Sequence, residues 1–142
     1  QPAGHSGMGT TLAANALAIA ALNATLSEVM TPAAYAHMIE HAVLLEEGLE
    51  EAFRADGWPF CVTRIGARLE LMFRAQAPRN AVEARVGLDD DLSLALRLYL
   101  ANRGVLITPF HNMMLVSPAT TRADLDALRG GFAEWLRELR PG

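Results

Sequence analysis

The sequence predicts an α+β fold, a small antiparallel sheet with helices packed mainly on one face, preceded by a long apolar helix. Three observations carry this expectation. Residues 12–56 repeat apolar side chains at helical spacing with one break, at Thr31-Pro32. Period-two alternation takes over around Gly66-Ala67, and two short apolar runs bracket residues 109–112. The order helix, helix, hairpin, helix, strand, strand, helix lacks the regular alternation that builds a parallel sheet.

At 142 residues the chain is long enough for one core, and 51% hydrophobic against 20% charged residues is a globular balance. We divide it into residues 1–30, a glycine-rich loop and connecting helix, and residues 31–142, the small domain proper. Net charge is −4 and all 12 cations are arginine, so the broad basic footprint of a nucleic-acid binder is missing. The longest apolar stretch, Ala16 to Leu22, is far short of the ~20 residues that span a bilayer, and we expect no membrane association. A single cysteine, Cys61, precludes an internal disulfide and fits a reducing cytoplasm.

The first helix is expected from about Leu12 to Met30. Leu12, Leu17, Ile19, Leu22, Leu26 and Val29 make it apolar nearly all round, which calls for burial from several sides and for more cover than this chain holds. Thr31-Pro32 starts a second helix, with Met38, Ala42, Leu45, Leu49 and Ala52/Phe53 inward and Gly57 as its stop. Residues 60–65 and 68–73 form the hairpin, and 75–88 read as loop. Asp89, Asp90 and Asp91 place negative charge at the start of a third helix whose stripe is Leu92, Leu96 and Tyr99/Leu100, closed by Gly104. Residues 105–108 and 113–116 are expected as short strands. Thr121 and Asp124 form a near capping box for the last helix, with Leu125, Leu128, Phe132, Trp135 and Leu136 inward.

One segment suggests an anion site. Gly7-Met-Gly-Thr10-Thr11 gives a tight turn feeding an apolar helix, where free N–H groups and a threonine hydroxyl suit a phosphate. The chain contains no lysine, which rules out a P-loop, and six residues ahead of Gly7 leave no strand for a dinucleotide-binding turn. Such a site is half of something.

With these pieces in place the chain resembles the C-terminal part of class III aminotransferases. These are fold-type I pyridoxal-phosphate enzymes, and the resemblance is to the glutamate-1-semialdehyde aminomutase and β-amino-acid aminotransferase branch. Thr11-Leu-Ala-Ala-Asn-Ala-Leu-Ala is similar to that family's Gly-Thr-Phe-Ser-Gly-Asn-Pro-Leu-Ala, matching at Thr11, Asn15 and Leu17 and departing at Thr10, Ala13, Ala14 and Ala16. Asn102-Arg-Gly-Val-Leu-Ile-Thr-Pro and Leu115-Val-Ser-Pro-Ala-Thr-Thr-Arg-Ala-Asp-Leu-Asp are two further anchors in the right order. The resemblance implies that Thr11, or Thr10 beside it, binds pyridoxal 5'-phosphate through its phosphate, across a homodimer interface. It implies that the Schiff-base lysine is supplied by a large domain or partner chain, so that no catalytic residue lies here. The function implied is transfer of an amino group between an amino compound and a carbonyl acceptor.

The tight loop at Phe110-His111-Asn112 offers His111 and Asn112 as candidates for binding a small-molecule amino substrate. Related β-amino-acid enzymes carry a carboxylate-binding arginine in the equivalent loop, and Phe110 stands in its place. His37-Met-Ile-Glu40-His41 has inverted-zincin spacing, which would put two imidazoles on one helix face with Glu40 as base, but no third ligand stands out. Arg64 and Arg68 are expected to face solvent or the large domain, Cys61 to pack, and Trp58 and Trp135 to sit in the core or a domain interface. The alternative of another class is a non-catalytic binding or regulatory module that keeps the fold, with zinc at His37, Glu40 and His41 a distant third.

Overall fold

The structure, a computed structural model, describes residues 14–140. Helix α1 spans Ala16–Ala24 and is followed by a π-helical turn at Thr25–Val29. It starts later than the apolar pattern suggests. Asn15 is the N-cap, its Oδ1 accepting from the Ala18 N–H at 3.0 Å, and Ala14 before it has φ +60°. The widened turn coincides with Thr25 and Ser27, whose hydroxyls donate to the carbonyls of Ala21 and Asn23 at 2.8 and 2.7 Å. None of its side chains is buried against the described residues, and Leu17 stays 80% exposed.

Helix α2, Pro32–Asp56, begins and ends as its sequence dictates. Thr31 Oγ1 accepts from the Ala34 N–H, proline occupies the first turn, and Gly57 closes the helix at φ +71°. Its inward face is Met38, His41, Ala42, Leu45, Leu49 and Phe53. Strands β1 (Cys61–Ile65) and β2 (Arg68–Met72) pair antiparallel across a two-residue turn in which Gly66 alone takes a positive φ, +58°. Strand β3, Met113–Leu115, adds to the far side of β2, giving the order β1-β2-β3. The register puts Val62 opposite Leu71 and Leu69 opposite Met114, so these four form the inner face under α2 and α5, the last helix, Arg122–Glu138.

Residues 75–88 are not all loop. Ala81–Val86 form a short helix, α3, capped by Asn80, whose Oδ1 accepts from the Glu83 N–H at 3.0 Å. Residues 105–108 are not a strand. The Thr108 N–H donates to the Met113 carbonyl, but Leu106 is 86% exposed and no ladder forms along the outer edge of β3.

Helix α4, Asp90–Ala101, is capped by Asp89 and packs on α5. Gly131 brings the two helices close, since a Cβ there would lie 2.9 Å from Leu100 Cδ2. Arg103 locks the end of α4 to α5, stacking over Tyr99 and donating from Nε to Glu134 at 2.9 Å, while the Tyr99 hydroxyl donates to Glu138. At the start of α5, the Thr121 N–H and hydroxyl both donate to the Asp124 carboxylate, at 2.8 and 2.7 Å, and hold it below the usual carboxylate range. Phe53, Phe60, Phe73, Phe132 and Trp135 form an aromatic cluster under the sheet, with Phe60 and Phe73 5.2 Å apart edge to face. Cys61 is buried, and burial with Glu50 nearby pushes its thiol up, which suits a packing role. Arg64 pairs with Glu46 of α2. No single helix among the described residues is long and apolar enough to cross a membrane, and α1 and α2, which would only pass together, are bent by 74°.

Candidate functional site

Thr10 and Thr11 lie outside the described residues. Helix α1 starts at Ala16, with Asn15 as its N-cap.

The loop at 109–112 is the described part of the candidate site. Phe110 O accepts from the Thr108 hydroxyl at 2.9 Å and from the Met113 N–H at 3.2 Å, tying the turn on both sides. His111 and Asn112 then take φ +56° and +48°, consecutive non-glycine residues in the left-handed region. This conformation sends the two side chains opposite ways. Asn112 turns inward and is 1% exposed. Its Oδ1 accepts from Arg97 Nη1 at 3.2 Å and its Nδ2 donates to Ser93 Oγ at 2.9 Å, both on α4. With its amide spoken for at both ends, Asn112 supports the loop and is not on its outer surface. The pair singled out in the sequence is thus divided between a support and an outward group.

His111 faces out over the outer side of the sheet. Its Nδ1–H donates to Glu70 Oε1 at 3.1 Å, and Phe110 stacks on its ring with centroids 3.9 Å apart. Glu70 also accepts from Arg68 at 3.3 Å through its other oxygen. A cleft of about 510 Å³ opens beside the loop, lined among others by Asp90, Ser93, Leu94, Arg97, Phe110 and His111. Ser93, Arg97 and Glu70 carry no motif in the sequence. Glu70 could have been found as the one acid interrupting Leu69 and Leu71, but nothing local links it to His111.

The histidines of α2 are used differently. His37 Nε2–H donates to the Thr120 carbonyl and His41 Nδ1–H to the His37 carbonyl, both at 2.9 Å, and Glu40 pairs with Arg122. Among the described residues no group of three or more His, Cys, Asp or Glu side chains is placed to hold a metal ion. As for an organic cofactor, a chain without lysine offers no amine for a covalent hold. An anionic group would be held non-covalently, by arginines, hydroxyls or backbone N–H groups.

No protein-family model matches the chain. Individual proteins do. It is 30% identical over 141 residues to the glutamate-1-semialdehyde 2,1-aminomutase of Desulfatibacillum aliphaticivorans, covering 97% of this chain and 32% of that one. It is 33% identical over 126 residues to glutamate-1-semialdehyde 2,1-aminomutase 2 of Brevibacillus brevis, covering 88% and 29%. Among solved structures, a glutamate-1-semialdehyde aminomutase from Pseudomonas aeruginosa in complex with PMP superposes with a TM-score of 0.88 at 46% identity, over 99% of this chain and 31% of that one. A β-phenylalanine aminotransferase from Variovorax paradoxus has a TM-score of 0.80 at 23% identity, over 95% and 31%, and shares the fold. The chain spans about 30% of the length of these relatives. Sequence and fold agree that the chain is similar to the C-terminal part of the glutamate-1-semialdehyde aminomutases, within the class III, fold-type I pyridoxal-phosphate aminotransferases.

Proposed function

We propose that this chain is the small domain of a pyridoxal-phosphate aminotransferase or aminomutase that works as a homodimer, and that a lysine-bearing large domain completes the enzyme. The observation that carries this reading is the superposition on the aminomutase bound to PMP over 99% of the chain at 46% identity. The complete lack of lysine supports the division of labour. When bound, the cofactor supplies the electron sink for moving an amino group. Residues 1–30 would reach the cofactor phosphate through Thr11 or Thr10, and residues 31–142 would shape the approach of substrate. The exposed apolar surface of α1 and the turn after it, Leu17, Leu22 and Leu26 included, suits cover by that large domain. On the loop, Phe110 and His111 present no arginine, so His111 tunes which amino compound is accepted and does not clamp a carboxylate.

The test uses the protein that carries this chain together with its large domain. Thr11→Ala should weaken cofactor affinity about tenfold, because a hydrogen bond to a charged group is worth about 1.5–3 kcal/mol. His111→Ala should change kcat/KM unevenly across amino donors and leave the cofactor spectrum intact. Unchanged affinity in the first variant removes the phosphate contact, and an equal loss for every donor in the second removes the loop's role.

A further inference from the structure

The 109–112 loop is held from two directions, and the two holds act on different properties of one imidazole. We propose that Glu70, together with the Ser93–Asn112–Arg97 chain, presents His111 Nε2 as a hydrogen-bond acceptor, so that the site favours substrates bearing an additional N–H or O–H group. The inference rests on the reading that this loop meets substrate.

The tautomer follows from the partner. A carboxylate only accepts, so the 3.1 Å contact with Glu70 Oε1 requires the proton on Nδ1. The neutral ring then carries its lone pair on Nε2. Nε2 has no hydrogen-bond partner among the described residues, and the side chain is 41% exposed beside the cleft. Phe110, 3.9 Å away by centroids, covers one ring face and leaves the Nε2 edge as the accessible polar position.

The aim follows from the backbone. Two successive non-glycine residues at positive φ are rare, and here the second is an asparagine whose side chain is fixed to α4 by Arg97 at 3.2 Å and Ser93 at 2.9 Å. Asn112 cannot turn without breaking both bonds inside the protein. His111, one residue earlier, is thereby kept over Glu70. Asp90 and Asp91 line the cleft together with Arg97, which gives one Nη1–H to Asn112, so the charge beside the loop is mixed and the selectivity rests on the His111 lone pair. An alcohol or amine donor meets a lone pair.

Glu70, Asn112, Ser93 and Arg97 are positioning residues in this scheme. The experiment uses the protein with its large domain, labelled with 15N-histidine and held at about pH 8.5, some two units above the ordinary histidine range. The ring-nitrogen shifts should report the Nδ1–H tautomer for wild-type His111, and Glu70→Gln, whose amide both donates and accepts, should yield a mixture. In parallel, kcat/KM is compared for a hydroxyl-bearing amine and its deoxy analogue. Glu70→Gln and Asn112→Gly should each lower the ratio about tenfold while cofactor absorbance stays at wild type. Asn112→Gly keeps the left-handed backbone accessible while removing the two side-chain bonds, so it tests the latch without adding backbone strain. An Nε2–H tautomer in the wild type, or variants whose substrate ratio matches wild type while His111→Ala changes it, would overturn this inference alone. If His111→Ala leaves every substrate unaffected, the reading of the loop as a substrate contact falls.

Discussion

Gly130 and Gly131 are neighbours on α5, and replacing each with alanine should move stability in opposite directions. In a helix interior alanine is favoured over glycine by about 1 kcal/mol. At Gly130, which is exposed, a Cβ meets nothing within 4 Å, so Gly130→Ala should gain that full amount. At Gly131 the same Cβ would lie 2.9 Å from Leu100 Cδ2, and Leu100 is fully buried. Overpacking of this kind costs about 1–3 kcal/mol, which cancels or exceeds the helix gain. The two variants should then differ by about 1–3 kcal/mol. With a urea slope of about 1–3 kcal/mol per molar, that is a separation of about 1 M in midpoint. Unfolding followed by tryptophan fluorescence at equal protein concentration reads it, since Trp135 lies in the core that α5 closes. The consequence reaches the site, because α4 carries Ser93 and Arg97, and pushing it off α5 slackens the hold on Asn112. Equal stabilisation by both alanines would refute the close approach of α4 and α5.

Trp58 Nε1 is buried without a hydrogen-bond partner among the described residues, so Trp58→Phe sheds an unsatisfied donor along with apolar area. We expect a change within about 1 kcal/mol in the same urea assay, and a loss above about 3 kcal/mol would mean that the N–H has a strong partner. The Asp124 carboxylate is held below its ordinary range, so its contribution is present above the unfolded value near 4 and is lost as pH falls through the folded one. Asp124→Asn should lower the melting temperature at pH 7 and match wild type near pH 2, and a difference that persists at pH 2 contradicts the capping account. The apolar surface of α1 should drive self-association of the 142-residue chain, and Leu17→Glu with Leu22→Glu should reduce it by light scattering. A stable wild-type monomer would remove that surface from the argument.

Helix ends were the most legible feature of the sequence. Thr31-Pro32, Gly57 and the Thr121/Asp124 box encode their own geometry within four residues, and the structure has each of them. Local codes also misled. The apolar run from Leu12 hides Asn15, which caps α1 and starts it at Ala16. Helix α3 is too short for a periodic signal, although Asn80 and Glu83 already stand at capping-box spacing. Residues 105–108 have strand composition but make only the single Thr108-to-Met113 bond to β3, and composition alone does not make a ladder. The loop at 109–112 was visible as a polar turn between apolar runs. That Asn112 points inward was not, because its partners lie 15 and 19 residues away on α4, and Glu70 is 41 residues from His111.

The central claim is that this chain supplies phosphate contact and substrate approach to an enzyme whose covalent hold on the cofactor lies elsewhere. The most direct measurement is visible absorbance on titrating pyridoxal phosphate into the 142-residue chain alone, and into the protein that joins it to its large domain. The account predicts a protein-bound cofactor band and amino-group transfer only in the second, with the band weakened by Thr11→Ala. Turnover by the lysine-free chain alone, or full cofactor binding and transfer by the large domain without this chain, would contradict it.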